Sequence, residues 1–526
     1  MSKFKRLVNP LIELAKKNKP EQFKQNDLID MALFSEAGLA EYIAAGLEGR
    51  LLWCEPKGWL VYDESNGTFT GNFAEDVIYE LIKFYRDKIL SFIGQTDPQN
   101  NQNIAFNFYK SLLNASTTRA IISLMKHEPN VAALPMDFDA DPNLLNCCGY
   151  VVSVSGEVRG ASPADRFTQT TICKPEKGTP ENFLRHIEWT SKGDTALIRW
   201  KLAAYGSALF GCPSDKIINC HGHGGNGKGA ELRPIYNVFG TYATVLPRSL
   251  AIKEPGVTSR FDREGLVGKR LAVLFDLKVE KGKLNLDDLK TICGNGDPQS
   301  VEPKGKPRYD AVINSKVFLA SNDQIPTDSY GPSEKRRFYL VPYNNRIEEK
   351  DETLEERFKP EYGKILYLLL ESASEYFRNN RKMPVCTAID RATAEYFDSQ
   401  DIVGQFLSDC CVQGEVRISK KELFSIYEQY LFREHGILKP GNLRNFAVLL
   451  EKRGIFEGVK KIDGKTARIF EGVNLLESYK VTKKPEFQVT LPIEPAKESN
   501  LNFENSCNFV TEKPKTATQI PLELPL

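Results

Sequence analysis

The chain has 526 residues, 41% hydrophobic and 26% charged, which is globular usage and excludes disordered, collagen-like and disulfide-scaffold classes. Its 70 Lys and Arg stand against 69 Asp and Glu, a net charge of +1, so nucleic-acid binding must rest on local patches rather than a molecule-wide basic field. At about 100–200 residues per domain, the length predicts three or four domains. No run reaches the about 18 apolar residues of a membrane span, so no membrane partner is expected. The 11 scattered cysteines, with no CxxC pair, read as reduced thiols of a cytoplasmic protein, not as a disulfide framework or zinc site.

Residues 1–34 read as a basic, weakly helical arm, whose apolar run is broken by Glu13 and Lys16 and does not make a secretory signal. Residues 35–195 read as an α+β domain. Leu39, Tyr42, Ile43 and Leu47 fall at helical spacing, and hairpin turns are expected at Pro56-Lys57-Gly58 and Asn66-Gly67. Helices follow over 74–127, short strands with a Ser155-Gly156 turn over 132–175, and helices again over 180–211. Within 196–349 come four short apolar runs, KIINCHG, RLAVLFDL, KVFLAS and FYLVPY, the kind buried on both faces of an α/β sheet. Residues 350–400 read as a helical lid or linker, 401–478 as a separate small domain, and 479–526, polar and rich in proline, as a flexible tail.

After KIINCHG stands Gly222-His223-Gly224-Gly225-Asn226-Gly227-Lys228-Gly229, a G-x-x-x-x-G-K sequence between a strand and a helix-like segment. Its glycines allow backbone N–H groups to close around phosphates, and Lys228 can reach the β- and γ-oxygens of a nucleotide. The alternative is a glycine-rich turn. The usual Mg²⁺-binding Ser or Thr is replaced by Gly229. His221 and His223 flank the loop without a third ligand and read as plain loop histidines.

Asp276, at the end of RLAVLFDL, is placed to hold Mg²⁺-bound water, or is simply an aspartate opening a loop. Leu277 and Lys278 follow, so no second acid is adjacent, and Glu280 is the nearest candidate to polarise water. Asn322, ending KVFLAS, can contact a γ-phosphate or form a turn. Lys335-Arg336-Arg337 is either a surface charge run or an arginine finger that reaches a neighbouring subunit.

Taken in order, the glycine loop, the strand ending in Asp276, KTICGNGDP, the strand before Asn322 and RRFYLVPY resemble the superfamily 3 helicases, in particular the phage/plasmid and poxvirus-type primase-helicase group. The segment Asp141 to Glu157 (D-x-x-LLN-x-x-GxVxxxxGE) and the segment Asp401 to Leu407 (DxVxxFL) extend the resemblance over about residues 36–476. It implies a ring-forming, usually hexameric AAA+ ATPase that uses ATP and Mg²⁺, translocates on single- and double-stranded DNA, and works with host replication proteins. In it Lys228 matches the P-loop lysine, Asp276 the first acid and metal ligand, Asn322 the sensor, and Arg336 and Arg337 the arginine pair. The family accepts Gly at the position of Gly229. The implied fold is an α/β and α+β multidomain chain with an AAA+ P-loop core.

Pro303-Lys304-Gly305-Lys306-Pro307 reads as an exposed tip whose lysines contact phosphates, or as a solvated basic turn. The resemblance places a DNA-contacting hairpin here. In 401–478, Ser419-x-x-Glu422 is a capping-box pattern, Pro440 opens a second helix and Asp463-Gly464 signals a type I′ hairpin, together a winged-helix order. Arg444, Lys460, Lys461, Lys465 and Arg468 are its candidate DNA contacts, although the same fold also docks proteins. Asp137, Asp139 and Asp141 offer an Asp-x-Asp pattern, but they lie in the linker before the ATPase, so primase chemistry is not expected. The reading is a replicative DNA helicase of a phage, plasmid or mobile element. Its rivals are an origin-binding scaffold that hydrolyses ATP poorly and a P-loop ATPase that remodels proteins.

Overall fold

The computed structural model describes residues 3–17, 34–93, 101–256, 261–279, 282–294, 296–327, 331–349, 351–437, 442–462 and 465–480. The tail expected over 479–526 lies almost entirely outside them, as do Glu280, Pro440 and the Asp463-Gly464 turn. The chain forms two compact units, Met1–Phe406 and Leu407–Leu526.

The first unit opens with a helix, Lys3–Lys17, that buries Leu7, Val8, Leu11 and Ala15 along one side. This stripe joins the core built by the helices Glu36–Gly46, Ala74–Ile93 and Ala115–Met125. The segment read as a basic arm is therefore amphipathic. Its lysines take the wet side while leucine and valine pack inward, a pattern its excess of charge obscured. The expected hairpins form: Leu51–Cys54 pairs with Gly58–Asp63, which pairs with Thr68–Thr70. A second antiparallel sheet is built from Leu144–Cys147, Tyr150–Ser153 and Val158–Gly160. Fully buried Asn146 ties the two together. Its Nδ2 donates to Asn66 O at 2.9 Å, Gly67 O at 3.2 Å and Gln169 O at 3.1 Å, and its Oδ1 accepts from Gly149 N at 3.0 Å.

The centre of this unit is a five-stranded sheet, all parallel. In spatial order its strands are Phe338–Pro342, Ile217–His221, Lys316–Ser321, Leu271–Leu277 and Ala243–Val245. The four apolar runs supply four of them. Alternate residues serve opposite cores: Ile218, Cys220, Phe318 and Ala320 pack on one side, and Ile217, Val317, Leu319 and Leu340 on the other. Such two-sided burial needs apolar residues at every position, which is why the runs are continuous. The short edge strand Ala243–Val245 has too few residues to show a pattern.

Helices cover both faces. Thr195–Ser207 lies against Tyr362–Arg378, and Gly206 permits the approach, since a Cβ there would meet Leu369 O at 2.6 Å. Thr387–Gln400 packs on the strand Phe338–Pro342. The helices after residue 350, expected as a lid or linker, are thus part of the sheet's covering.

The second unit runs strand Cys411–Ser419, helix Lys420–His435, helix Leu443–Glu451, and the antiparallel strands Phe456–Ile462 and Lys465–Leu475. Lys465–Leu475 is the central strand of the three. Phe446 anchors the core, stacked on Tyr427 at 4.4 Å and edge-on to Phe470 at 6.1 Å. Ser419 precedes the first helix but its side chain makes no capping bond, so that part of the expected box is not formed. The second helix is capped by Asn442, which accepts from Asn445 N at 2.8 Å. The strand Cys411–Ser419 was not expected, because most of it is exposed and polar.

Candidate functional site

Parallel strands gather their carboxyl ends on one edge, where ligands of α/β sheets bind. Here the glycine loop follows His221, Asn322 follows Ser321, and Asp276 is the last residue but one of a third strand beside them. Gly225 and Gly227 adopt φ of 67° and 78°, values that favour glycine. Gly227 is held by the preceding helix Glu181–Thr190: a Cβ there would lie 2.8 Å from Trp189 and 3.0 Å from His186. His186 Nε2 also sits 3.1 Å from Gly227 O, and burial pulls its imidazole below the ordinary value. Gly222 leaves no space either, since a Cβ would meet Asn226 Nδ2 and Tyr343 O. Asn226 donates to Tyr343 O at 3.2 Å, and Ile347 N donates to Gly225 O at 2.7 Å, so the segment after Phe338–Pro342 braces the loop.

Lys228 opens the helix Lys228–Val238 and is 5% exposed. Its ammonium donates to Gly222 O at 3.1 Å and to Asn322 Oδ1. Burial lowers its pKa, and the Asp276 and Asp323 carboxylates nearby oppose that. An ammonium held mainly by neutral oxygens is available to a phosphate. Asp276 has φ of 50°, rare for a non-glycine residue, and sits in a bulge where the register with Lys316–Ser321 shifts between Leu274 and Leu277. The bulge turns an exposed carboxylate into the cleft. Nothing among the described residues lies within 4 Å of a Cβ built on Gly229, which leaves open space where a metal-binding hydroxyl often stands.

These groups line a cleft of about 1130 Å³, with Arg185, Trp189 and Arg346 on its rim. One turn beyond Lys228, fully buried Glu231 accepts from Lys201 Nζ at 3.1 Å, Tyr205 Oη at 2.7 Å, Tyr343 Oη at 2.9 Å and Thr190 Oγ1. Burial alone would raise the Glu231 carboxyl, but Lys201 and the hydroxyls more than offset this and hold it below the ordinary value.

A model for a family of unknown function, DUF5906, matches residues 220–337, a span that holds Lys228, Asp276, Asn322, Arg336 and Arg337. No curated protein matches the chain. Among solved structures, the chain is similar to the A form apo structure of NrS-1 C terminal region-CTR, at 16% identity over 68% of this chain and 90% of that one, with a TM-score of 0.40. The apo structure of NrS-1 C terminal region (305-718) matches at 15% identity over 69% and 90%, with a TM-score of 0.40.

Arg336 and Arg337 lie at the opposite, amino-terminal edge of the sheet, where Arg337 O accepts from Ile217 N at 2.7 Å. The strand Ile217–His221 then rises about 3.3 Å per residue toward the loop, a span an arginine side chain cannot bridge. The two arginines differ. Arg337 is engaged by Asp215 at 3.2 Å and Ser333 O at 3.2 Å, whereas Arg336 is exposed, with no ion-pair partner among the described residues.

Lys304 and Lys306 stand exposed between the paired strands Pro298–Val301 and Tyr309–Val312, and Lys306 Nζ donates to Pro56 O at 2.8 Å. In the second unit, Arg444 and Arg468 are exposed. Lys460 lies 3.5 Å from Glu471, which offsets its charge. Lys460 opposes Ala467 and Arg468 opposes Val459, so their side chains point to opposite faces of the ladder and do not form one patch. Lys461 and Lys465 have strand backbone, and their side chains lie outside the described residues.

The three aspartates before the core do not converge. Asp137 pairs with Arg166 at 2.6 Å, half-buried Asp139 accepts from Thr168 N at 2.9 Å, and Asp141 accepts from Asn143 N at 2.8 Å. The His221 and His223 rings meet edge to face at 6.1 Å. No group of three or more His, Cys, Asp or Glu among the described residues is placed to hold a metal. Among those residues, no helix is long and apolar enough to cross a membrane.

Sequence reasoning did not find His186, Trp189 or the Glu231 network. The spacing of His186 and Trp189 on one helix was a usable signal, while Lys201, Glu231 and Tyr343 are brought together only by the fold.

Proposed function

We propose that the chain is an ATP-driven DNA motor of the superfamily 3 helicase type, with an AAA+ core formed around the glycine loop, acting in replication of a phage, plasmid or mobile element. The observation that carries this reading is the meeting of Lys228, Asn322 and Asp276 at one edge of a parallel sheet. Lys228 and the loop N–H groups bind the triphosphate, Asn322 orients its terminal phosphate or the attacking water, and the braced loop keeps these donors in place. Asp276 is the residue fitted to hold Mg²⁺, with room for a water beside Gly229. Bound Mg²⁺ supplies charge neutralisation at the β- and γ-phosphates. Arg336, too far from its own loop and free of an ion pair among the described residues, serves a neighbouring subunit in a ring.

DNA is contacted by phosphate-binding lysines at the 304–306 tip and by a winged-helix module in the second unit. Its strand-helix-helix-hairpin order and exposed Arg444 and Arg468 support that assignment. A second reading, a replication scaffold that binds ATP and hydrolyses it slowly, is favoured by Gly229 and by the lack of an acid next to Asp276. ATP turnover by the full chain with and without single-stranded DNA separates the two. DNA stimulates the motor severalfold, whereas the scaffold stays slow in both conditions. Fast turnover with no DNA effect and no DNA affinity would instead indicate a protein-remodelling ATPase.

A further inference from the structure

Phosphoryl transfer to water needs a group that orients the water and takes its proton. No acid stands next to Asp276, because Leu277 and Lys278 follow it. The strand order of the parallel sheet shows where a replacement can come from. The strand Lys316–Ser321 lies between the strand that feeds the glycine loop and the strand that carries Asp276. Its last residue, Ser321, is paired with His221 on one side and with Leu277 on the other. The two residues that follow, Asn322 and Asp323, therefore leave the sheet at the middle of the site.

Three observations single out Asp323. First, its neighbour Asn322 touches the Lys228 ammonium through Oδ1, which ties this corner to the phosphate-binding lysine. Second, burial lowers the Lys228 pKa, and the carboxylates that oppose this are those of Asp276 and Asp323. Burial also lowers His221, the last residue before the loop, and Asp323 opposes that as well. Third, Asp323 is exposed, and its side chain makes no hydrogen bond or ion pair among the described residues. An aspartate that only shapes a turn bonds the backbone two residues on. Asp141 does this with Asn143 N at 2.8 Å, and Asp351 with Thr353 N at 3.0 Å, but Asp323 does not.

The other acids near the loop are worse placed. Glu231 is buried and held by Lys201, Tyr205 and Tyr343. Glu348 and Glu349 line the cleft, but they follow the strand Phe338–Pro342, which two other strands separate from that of Asp276.

We infer that Asp323 is the second carboxylate of the site, the catalytic group that orients the attacking water and takes its proton. This rests on the motor reading and deepens it, since it supplies the acid that is missing beside Asp276. As the water oxygen bonds the γ-phosphorus, one water proton passes to an Asp323 oxygen. The bond from that phosphorus to the β–γ bridging oxygen breaks, and its electron pair leaves with ADP. The proton then passes to the released phosphate, which restores the carboxylate.

The test compares full-length Asp323→Asn with the native chain and with Lys228→Ala. It measures ATP turnover with single-stranded DNA, and binding of a fluorescent nonhydrolysable ATP analogue over a range of Mg²⁺ concentrations. Asp323→Asn should lower kcat by about 100-fold or more, the scale of a lost general base. It should bind the analogue within about threefold of native, because the lost interaction belongs to the transition state. Asp323→Glu, which keeps a carboxylate, should turn over faster than Asp323→Asn. The Mg²⁺ concentration that half-saturates analogue binding should be unchanged in Asp323→Asn and raised in Asp276→Asn. A rise in Asp323→Asn would make the residue a metal ligand and overturn the assigned role. Turnover by Asp323→Asn within about threefold of native also overturns the inference, and it leaves the motor reading standing if Lys228→Ala is inactive. Native turnover by Lys228→Ala would instead bring down the motor reading itself.

Discussion

In the unit 1–406, Lys228 is buried, bonded to Gly222 and Asn322, and attached to a loop braced by Asn226, His186 and Ile347. In the unit 407–526, Arg444 and Arg468 are exposed, and Lys460 shares its charge with Glu471. The first arrangement fixes donors before a ligand arrives, which is what catalysis of phosphoryl transfer requires. The second leaves charge exposed and spread over two faces, which suits phosphate binding of modest, salt-sensitive strength. Removing one group from the first region should therefore break an activity, and removing one from the second should only scale a binding constant.

The sharpest break falls at the arginines. Arg336→Ala should cost about 1000-fold in turnover if it acts as a finger. Arg337→Ala should act mainly by removing the ion pair with Asp215 and should lower the melting temperature. Mixing Arg336→Ala chains with Lys228→Ala chains should restore activity at interfaces that pair an intact loop with an intact arginine. Rings shown to be mixed, yet inactive, would remove the assignment between subunits.

Next comes the support beneath the loop. Glu231→Ala leaves Lys201 buried and unpaired, and breaking such a pair costs about 3–5 kcal/mol. Urea unfolding should show this loss of stability. A cost near zero would mean that the network does not hold the loop's helix.

Smaller effects are expected from the second unit. Lys460→Ala/Lys461→Ala/Lys465→Ala should weaken duplex binding and spare turnover without DNA. The slope of log affinity against log salt should fall by about 0.9 for each phosphate that is no longer neutralised. An unchanged slope would make this unit a protein-docking module. The mildest change is Gly229→Ser, which has open space around its Cβ. It should fold normally and lower the Mg²⁺ concentration needed for half-maximal turnover by a few fold. A drop in stability would contradict the open space.

How far the sequence disclosed this arrangement depends on the length scale of each signal. Four strands of the central sheet were legible because burial on both faces requires unbroken apolar runs such as KVFLAS. The glycine loop was legible because its backbone needs glycines at fixed spacing. Ala243–Val245 was too short to carry a pattern. The helix Lys3–Lys17 was obscured by its own lysines, which hid a narrow stripe of Leu7, Leu11 and Ala15. The bulge at Asp276 is a register shift between two strands, so it has no local signature. Asn146 shows the converse. It stands out in the D-x-x-LLN segment, yet its side chain is spent on joining two sheets.

The most direct test is ATP binding and turnover by Lys228→Ala protein beside the native chain. The account predicts turnover lower by at least about 100-fold, with a much smaller change in melting temperature, because Asn226, His186 and Ile347 still hold the loop when the lysine's bond to Gly222 is lost. Turnover at the native rate in the variant would place the chemistry elsewhere and contradict the assignment of this edge of the sheet.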